Sequence, residues 1–411
     1  MVTDPFEHLS TRFMLPWITS NDTYPEFYQQ GYEVTAMHIL QVPEAYDKMI
    51  ANSKGTIFCT LDLCESGDGM CDREESDLDL KRRQAEWTEK RDVLRHLRKR
   101  AKAKKEEFEC EDKDGTKKEI QYTRFAYPGA SEWPATAVQV REAVVLANSD
   151  SYTNTEVEER EASTEERASG KPKINTEHLI EVKLMGLFMQ LAVIGGNCGI
   201  DCNFFLDFFT LDVIENAPRT PGSSQNLKKP VDRVMEQFGS NSNKEVFRML
   251  KQSINGIKAL ELNPAPGAPR SWPKLVQDDN PREALSVIRE TISVYNYQNM
   301  PKVLKRFKMV NDGIRAELHR TSKAYKDQKG VDIDLVDCWD RFFNFRKNQM
   351  VATGHNFVNQ AIEGMRTRWT QNSDASVEWN DRAHAVRDAL TELESHIGEI
   401  YMDDLKLEKL S

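Results

Sequence analysis

The chain has 411 residues, of which 39% are hydrophobic and 30% charged, with a formal net charge of −10. That length accommodates two or three domains of roughly 100–200 residues each, and the charge surplus over the usual quarter belongs on long solvated helices or disordered stretches. A negative balance excludes attraction of the whole molecule to nucleic acid or anionic lipid while leaving room for a local basic patch, and no run approaches the roughly 18 apolar residues of a membrane span.

The N-terminus, Met1-Val2-Thr3-Asp4-Pro5-Phe6-Glu7, lacks the basic start and apolar run of a signal peptide. A complete chain is therefore expected in the cytoplasm, whereas a downstream piece of a longer secreted protein is expected outside the cell. Residues 1–75 are aromatic-rich and broken by Pro5, Pro16, Pro25 and Pro43, which predicts short helices with irregular connections. From Ser76 to Phe108 strong helix formers run without Gly or Pro and predict one long charged helix. Asp112-Lys113-Asp114-Gly115 between alternating segments predicts a hairpin, because Gly accepts the positive φ of the turn. The apolar run in 134–148 predicts a further helix. Residues 149–174 carry almost no apolar side chains, which predicts an acidic, disordered linker between a 1–148 region and a 175–411 domain.

Beyond Asn175 helices are expected over 178–193, at the cluster Phe204, Phe205, Phe208 and Phe209, over 230–238 closed by Gly239 in a left-handed cap, and over 244–262. Asn280-Pro281 opens the next, to about Asn299, and Pro301 opens another, to about Gln328. Asp334–Arg368 reads as one helix weakened at Gly354, with Trp339, Phe342 and Phe345 in the core, and Ser376–Tyr401 as the last. The fold class is mainly α: a multi-helix bundle of six or seven helices beside a smaller irregular α+β N-terminal region carrying one hairpin.

Seven cysteines leave an odd thiol over if the rest pair. Cys59, Cys64, Cys71 and Cys110 suit a local disulfide knot, and Cys198 and Cys202 are further candidates; free thiols and a metal site remain alternatives, although no Cys-x-x-Cys pair occurs. Asn21 heads the one glycosylation sequon.

The segment Gly330-Val331-Asp332-Ile333-Asp334-Leu335-Val336-Asp337 looks like the acidic strand-end motif of chitin-cleaving glycoside hydrolases, but Val336 stands at the acid's position and Lys329 at the first aspartate. A valine cannot deliver a proton, so an acidic first turn of a helix is the expected role. His178 and Glu181 lie one helical turn apart without a second histidine pair to complete a metal site. The loop Cys64–Asp72 lacks the alternating carboxylates of a calcium site. Lys81-Arg82-Arg83 and Arg98–Lys105 concentrate positive charge, interleaved with acidic residues as on a solvated helix face. No phosphate loop, nucleophile elbow or dinucleotide fingerprint is found, and no cofactor is expected.

The phrases Glu177-His178-Leu179-Ile180-Glu181-Val182, Asp201-Cys202-Asn203-Phe204-Phe205, the run from Val234 to Asn243, and Val294-Tyr295-Asn296-Tyr297 carry a resemblance over roughly 175–370. They resemble the helical region that follows the catalytic barrel in large secreted, killer-toxin-like chitinases of filamentous fungi. The resemblance implies an extracellular fungal origin, oxidised cysteines, and a non-catalytic accessory or interaction role beside a chitinase-type catalytic domain or cell-wall polysaccharide. It transfers no activity, since the barrel and its acid are missing from these residues. The other reading is a stand-alone intracellular helical enzyme or adaptor that uses the basic helix 81–105.

Overall fold

The computed structural model describes residues 103–111, 116–168, 173–193, 198, 200–214, 226–261, 272–370 and 376–405. Of these, 58% are helical and 13% are in strands, arranged as ten α-helices and two small sheets. The expected elements before Ala103 lie outside the described residues.

Strands β1 (Lys104–Glu111) and β2 (Lys117–Arg124) pair antiparallel with Phe108 opposite Ile120, which is the hairpin the Asp-Gly turn predicts. β1 begins at Lys104, so the charged helix expected to reach Phe108 does not; alternation buries Phe108, Cys110, Ile120 and Tyr122 on one face, and period two overrides helix propensity. A two-stranded sheet is marginal by itself. Here Cys110 is bonded to Cys202, Phe108 meets Phe205 edge-on at 5.8 Å, and Lys118 Nζ donates to Asn203 Oδ1 at 2.7 Å.

The second sheet has the order β4-β3-β6-β5, formed by β3 (Ala143–Leu146), β4 (Val157–Arg160), β5 (Ile174–His178) and β6 (Phe247–Lys251). β3 runs antiparallel to β4 and parallel to β6, and β5 runs antiparallel to β6. Three helix expectations are corrected here. The 134–148 run yields only α1 (Val138–Arg141) before β3; the 178–193 run starts its helix later, at α2 (Lys183–Val193); and the 244–262 run divides into β6 and α5 (Gln252–Glu261). Short apolar runs buried on both faces read alike in a strand and in a central helix. The 149–174 segment is corrected too, for it contains β4, and Ile174 begins β5. Strands from both sides of it share one sheet, and the described residues belong to one compact unit.

The aromatic cluster forms α3 (Cys202–Phe204) and a π-helical turn, Phe205–Phe209, with Phe204 and Phe208 edge-on to Tyr325 at 5.0 and 4.9 Å. α4 (Pro230–Phe238) ends at Gly239 as predicted, but φ 122° and ψ 145° are not the left-handed helical cap; a Cβ there would sit 2.5 Å from the Phe247 ring, so only glycine fits.

The long helices follow the local signals closely. After α6 (Trp272–Gln277), α7 (Arg282–Gln298) starts where Asn280 Oδ1 accepts from Arg282 N, and α8 (Pro301–Lys329) starts on its proline and ends at Gly330, φ 70°. α9 (Leu335–Arg368) is capped by Asp334, and α10 (Val377–Ser395) by Ser376. Gly354 does not interrupt α9. It admits α7, because a Cβ would lie 2.3 Å from the Tyr295 hydroxyl, which donates to the Met350 carbonyl at 2.8 Å. Trp339 is fully buried against Phe188 and Phe342, and its indole N–H donates to Asn311 Oδ1 at 2.8 Å. Phe345, expected in the core, is only half-buried, and Phe343 takes that place. α4 and α8 are joined by the buried pair Arg233–Glu317, two hydrogen bonds of 2.6 and 3.0 Å.

Candidate functional site

A buried charge cluster lies where β5 hands over to α2. Glu177 and His178 end β5, the chain turns through Leu179–Val182, and Lys258 of α5 reaches underneath. Lys258, 1% exposed, donates to Glu177 Oε1, to the His178 carbonyl at 2.7 Å and to Glu181 Oε1 at 3.3 Å. Three acceptors match the three protons of an ammonium. Burial would lower its pKa, but attraction to Glu177 and Glu181 prevails and raises it. A nucleophilic lysine needs the opposite shift, so this one is a charged tie between β5, α5 and the following turn. Burial also pushes the Tyr297 phenol far up, and its hydroxyl is buried without a partner among the described residues.

Beside this cluster opens a small pocket, far below the volume of a usual ligand site. Its apolar walls are Leu179, Ile180, Leu184, Phe307, Phe343 and Met350. Its polar groups are Glu181, Gln298, Arg346 and Lys347, and Met402 of the C-terminal segment closes one side. Arg346 is 6% exposed and donates to Gln349 Oε1; burial draws its pKa down to about 10, so it stays charged at neutral pH. Lys347 pairs with Asp404, a residue whose side chain is 95% exposed.

The C-terminal segment is fixed over this region by polar contacts to α7. Asn299 donates to the Tyr401 carbonyl at 2.8 Å and accepts from Asp403 N at 3.0 Å. One turn earlier Asn296 and Thr155 donate to Glu399 Oε2 at 2.7 and 2.8 Å, while His396 Nδ1 lies 2.7 Å from Glu399 Oε1. Burial would raise the pKa of Glu399, but these hydrogen bonds hold it below the usual range. The group looks like a hydroxyl–imidazole–carboxylate triad, yet the same Nδ1 faces both Thr155, at 3.4 Å, and Glu399. A relay needs the two different ring nitrogens, so the cluster anchors the tail.

The residues singled out in sequence fall elsewhere. Asp334 accepts from Val336 N and Asp337 N at 3.1 and 2.9 Å as the cap of α9, and Asp332 pairs with Lys326 at 2.6 Å. His178 packs edge-on to Tyr127 and Phe247. Cys110 bonds to Cys202 and not to a neighbour in a local knot, and Cys198 bonds to Cys338, which was not among the expected partners. Cys59, Cys64, Cys71, Asn21 and the basic residues through Lys102 lie outside the described residues, whereas Lys104 and Lys105 belong to β1. Arg346, Lys347 and Lys258 escaped notice because each sits in an ordinary amphipathic helix; the cavity is assembled from five separate stretches of chain. No family model, no curated protein and no solved structure matches the chain.

Proposed function

We propose that this chain is a non-catalytic, disulfide-held helical module that works in an oxidising compartment, as the accessory or interaction part of a secreted, killer-toxin-like or chitinase-like fungal protein. The supporting observation is that all four cysteines among the described residues are paired, Cys110 with Cys202 and Cys198 with Cys338. Reducing compartments keep such thiols free, whereas secreted proteins retain the bonds. The place of a proton-donating carboxyl is taken by Val336, whose backbone amide is spent on the cap of α9, and this favours a binding role over sugar cleavage.

The test is alkylation and peptide mass spectrometry on protein isolated from its source without reductant. Protection of these four cysteines until a reductant is added is the expected result. Four alkylated thiols in the unreduced sample would overturn the reading.

A further inference from the structure

We propose that the two disulfides are not equivalent and that Cys198–Cys338 is a redox switch: a dithiol reductant opens it selectively, freeing the turn at Cys198 from the start of α9 while Cys110–Cys202 keeps the hairpin in place. The two bonds differ in burial. Cys110 and Cys202 are 2% and 0% exposed, and close by Phe205 meets Phe108, Phe204 and Phe209 edge-on. Cys338 is equally buried, but its partner Cys198 stands in a turn and is part-exposed. Exchange requires an attacking thiolate to reach one of the bonded sulfurs, and of these four cysteines Cys198 is the one that solvent reaches.

The step is two successive exchanges. One thiolate of the reductant attacks Cys198 Sγ, forms a mixed disulfide there and expels the Cys338 thiolate; the second then attacks the reductant's own sulfur in that mixed disulfide and expels the Cys198 thiolate. The dithiol leaves as a disulfide, and its two electrons and two protons end on Cys198 and Cys338. Cys338 lies at the first turn of α9, where the positive end of the helix dipole favours the departing thiolate. The carboxylates beside it are engaged, Asp334 with the amides of Val336 and Asp337, and Asp337 with Arg341.

The opening is local. Trp339, the next residue, stays locked between α9 and α2 by Phe342 and Phe188, and its indole N–H stays bonded to Asn311 of α8. Helix packing therefore persists when the bond is cut, and what changes is the tether of the Cys198 turn to α9.

The proposal rests on the reading that both bonds form in the protein's own compartment. It is tested on the full chain, isolated without reductant, by graded dithiothreitol under native conditions, alkylation and peptide mass spectrometry. Cys198 and Cys338 are expected to be labelled at least about tenfold faster than Cys110 and Cys202, with the difference lost in concentrated guanidinium. In the singly reduced species hydrogen exchange should accelerate around Cys198 and the first turns of α9, while β1 and β2 keep their protection. Cys198→Ser with Cys338→Ser should show the same pattern without reductant. Free thiols before any reductant is added would overturn the compartment reading and this proposal with it. With both bonds initially present, equal labelling rates, earlier opening of Cys110–Cys202, or exchange that is unchanged or raised throughout the chain would overturn this proposal alone.

Discussion

The β1–β2 hairpin and the α7–α9 helices belong to the same unit but are held by different physics. The hairpin has only two strands, buries one face against α2 and α4, and is pinned by one covalent bond and by contacts to α3 and the turn after it. The helices interlock through Trp339, through the Tyr295 hydroxyl lodged at Gly354, and through the bidentate pair Arg315–Asp340, with Arg233–Glu317 tying α4 to α8. The cross-link sits where burial is least able to do the work, as expected of an element too small to be stable unaided. In the helices, side-chain shape carries the same burden.

The contrast can be broken from either side. Trp339→Ala opens a cavity among Phe188, Phe342 and Phe343 and leaves Asn311 Oδ1 without its donor, and should lower unfolding free energy by about 3–5 kcal/mol in a denaturant titration. A loss under about 1 kcal/mol would mean that the helices are not held by packing. Cys110→Ala with Cys202→Ala should cost about 2–4 kcal/mol, and its signature is local. Hydrogen exchange should accelerate in β1 and β2 while α7–α9 keep their protection; uniform acceleration would erase the distinction drawn here.

Acid gives the smallest effect and acts on the sheet rather than the hairpin. The Arg160 guanidinium beside Glu166, assisted by Ser163, holds its carboxyl near 2 against an ordinary 4.5. A depressed folded pKa contributes stability that is complete above the unfolded value and is lost as pH falls from about 4.5 toward 2. The pair is partly exposed and screened, so the loss is a modest shift of the melting midpoint at low ionic strength. Glu166→Gln should flatten that acid limb, and an unchanged limb would show that the Arg160 contact contributes nothing to β4.

The same two regions differ in how far they could be read from the amino acids. α7, α8, α9 and α10 announce themselves through Asn280-Pro281, Pro301, Asp334 and Ser376, signals that act within one turn of the residue concerned. β1 and β2 were legible through the Asp-Gly turn. β3, β5 and β6 were not, because Val144 meets Leu250 and His178 meets Phe247 across long intervals of sequence, and a four- or five-residue apolar run carries no period of its own. The candidate site failed for the same reason. Arg346 and Lys347 look like ordinary helix-surface cations until Leu179, Phe307 and Met402 arrive from elsewhere in the chain.

Cys198 and Cys202 sit within one short stretch and are bonded to partners on opposite sides of it in sequence, Cys110 before and Cys338 after. Backbone cleavage anywhere between residues 111 and 197, or between 203 and 337, therefore leaves the two pieces covalently joined. Over that whole span a protease can nick the polypeptide without releasing a fragment. After any single cut in this span the disulfides must also be reduced before the two pieces separate, a form of resistance to attack that owes nothing to folding free energy.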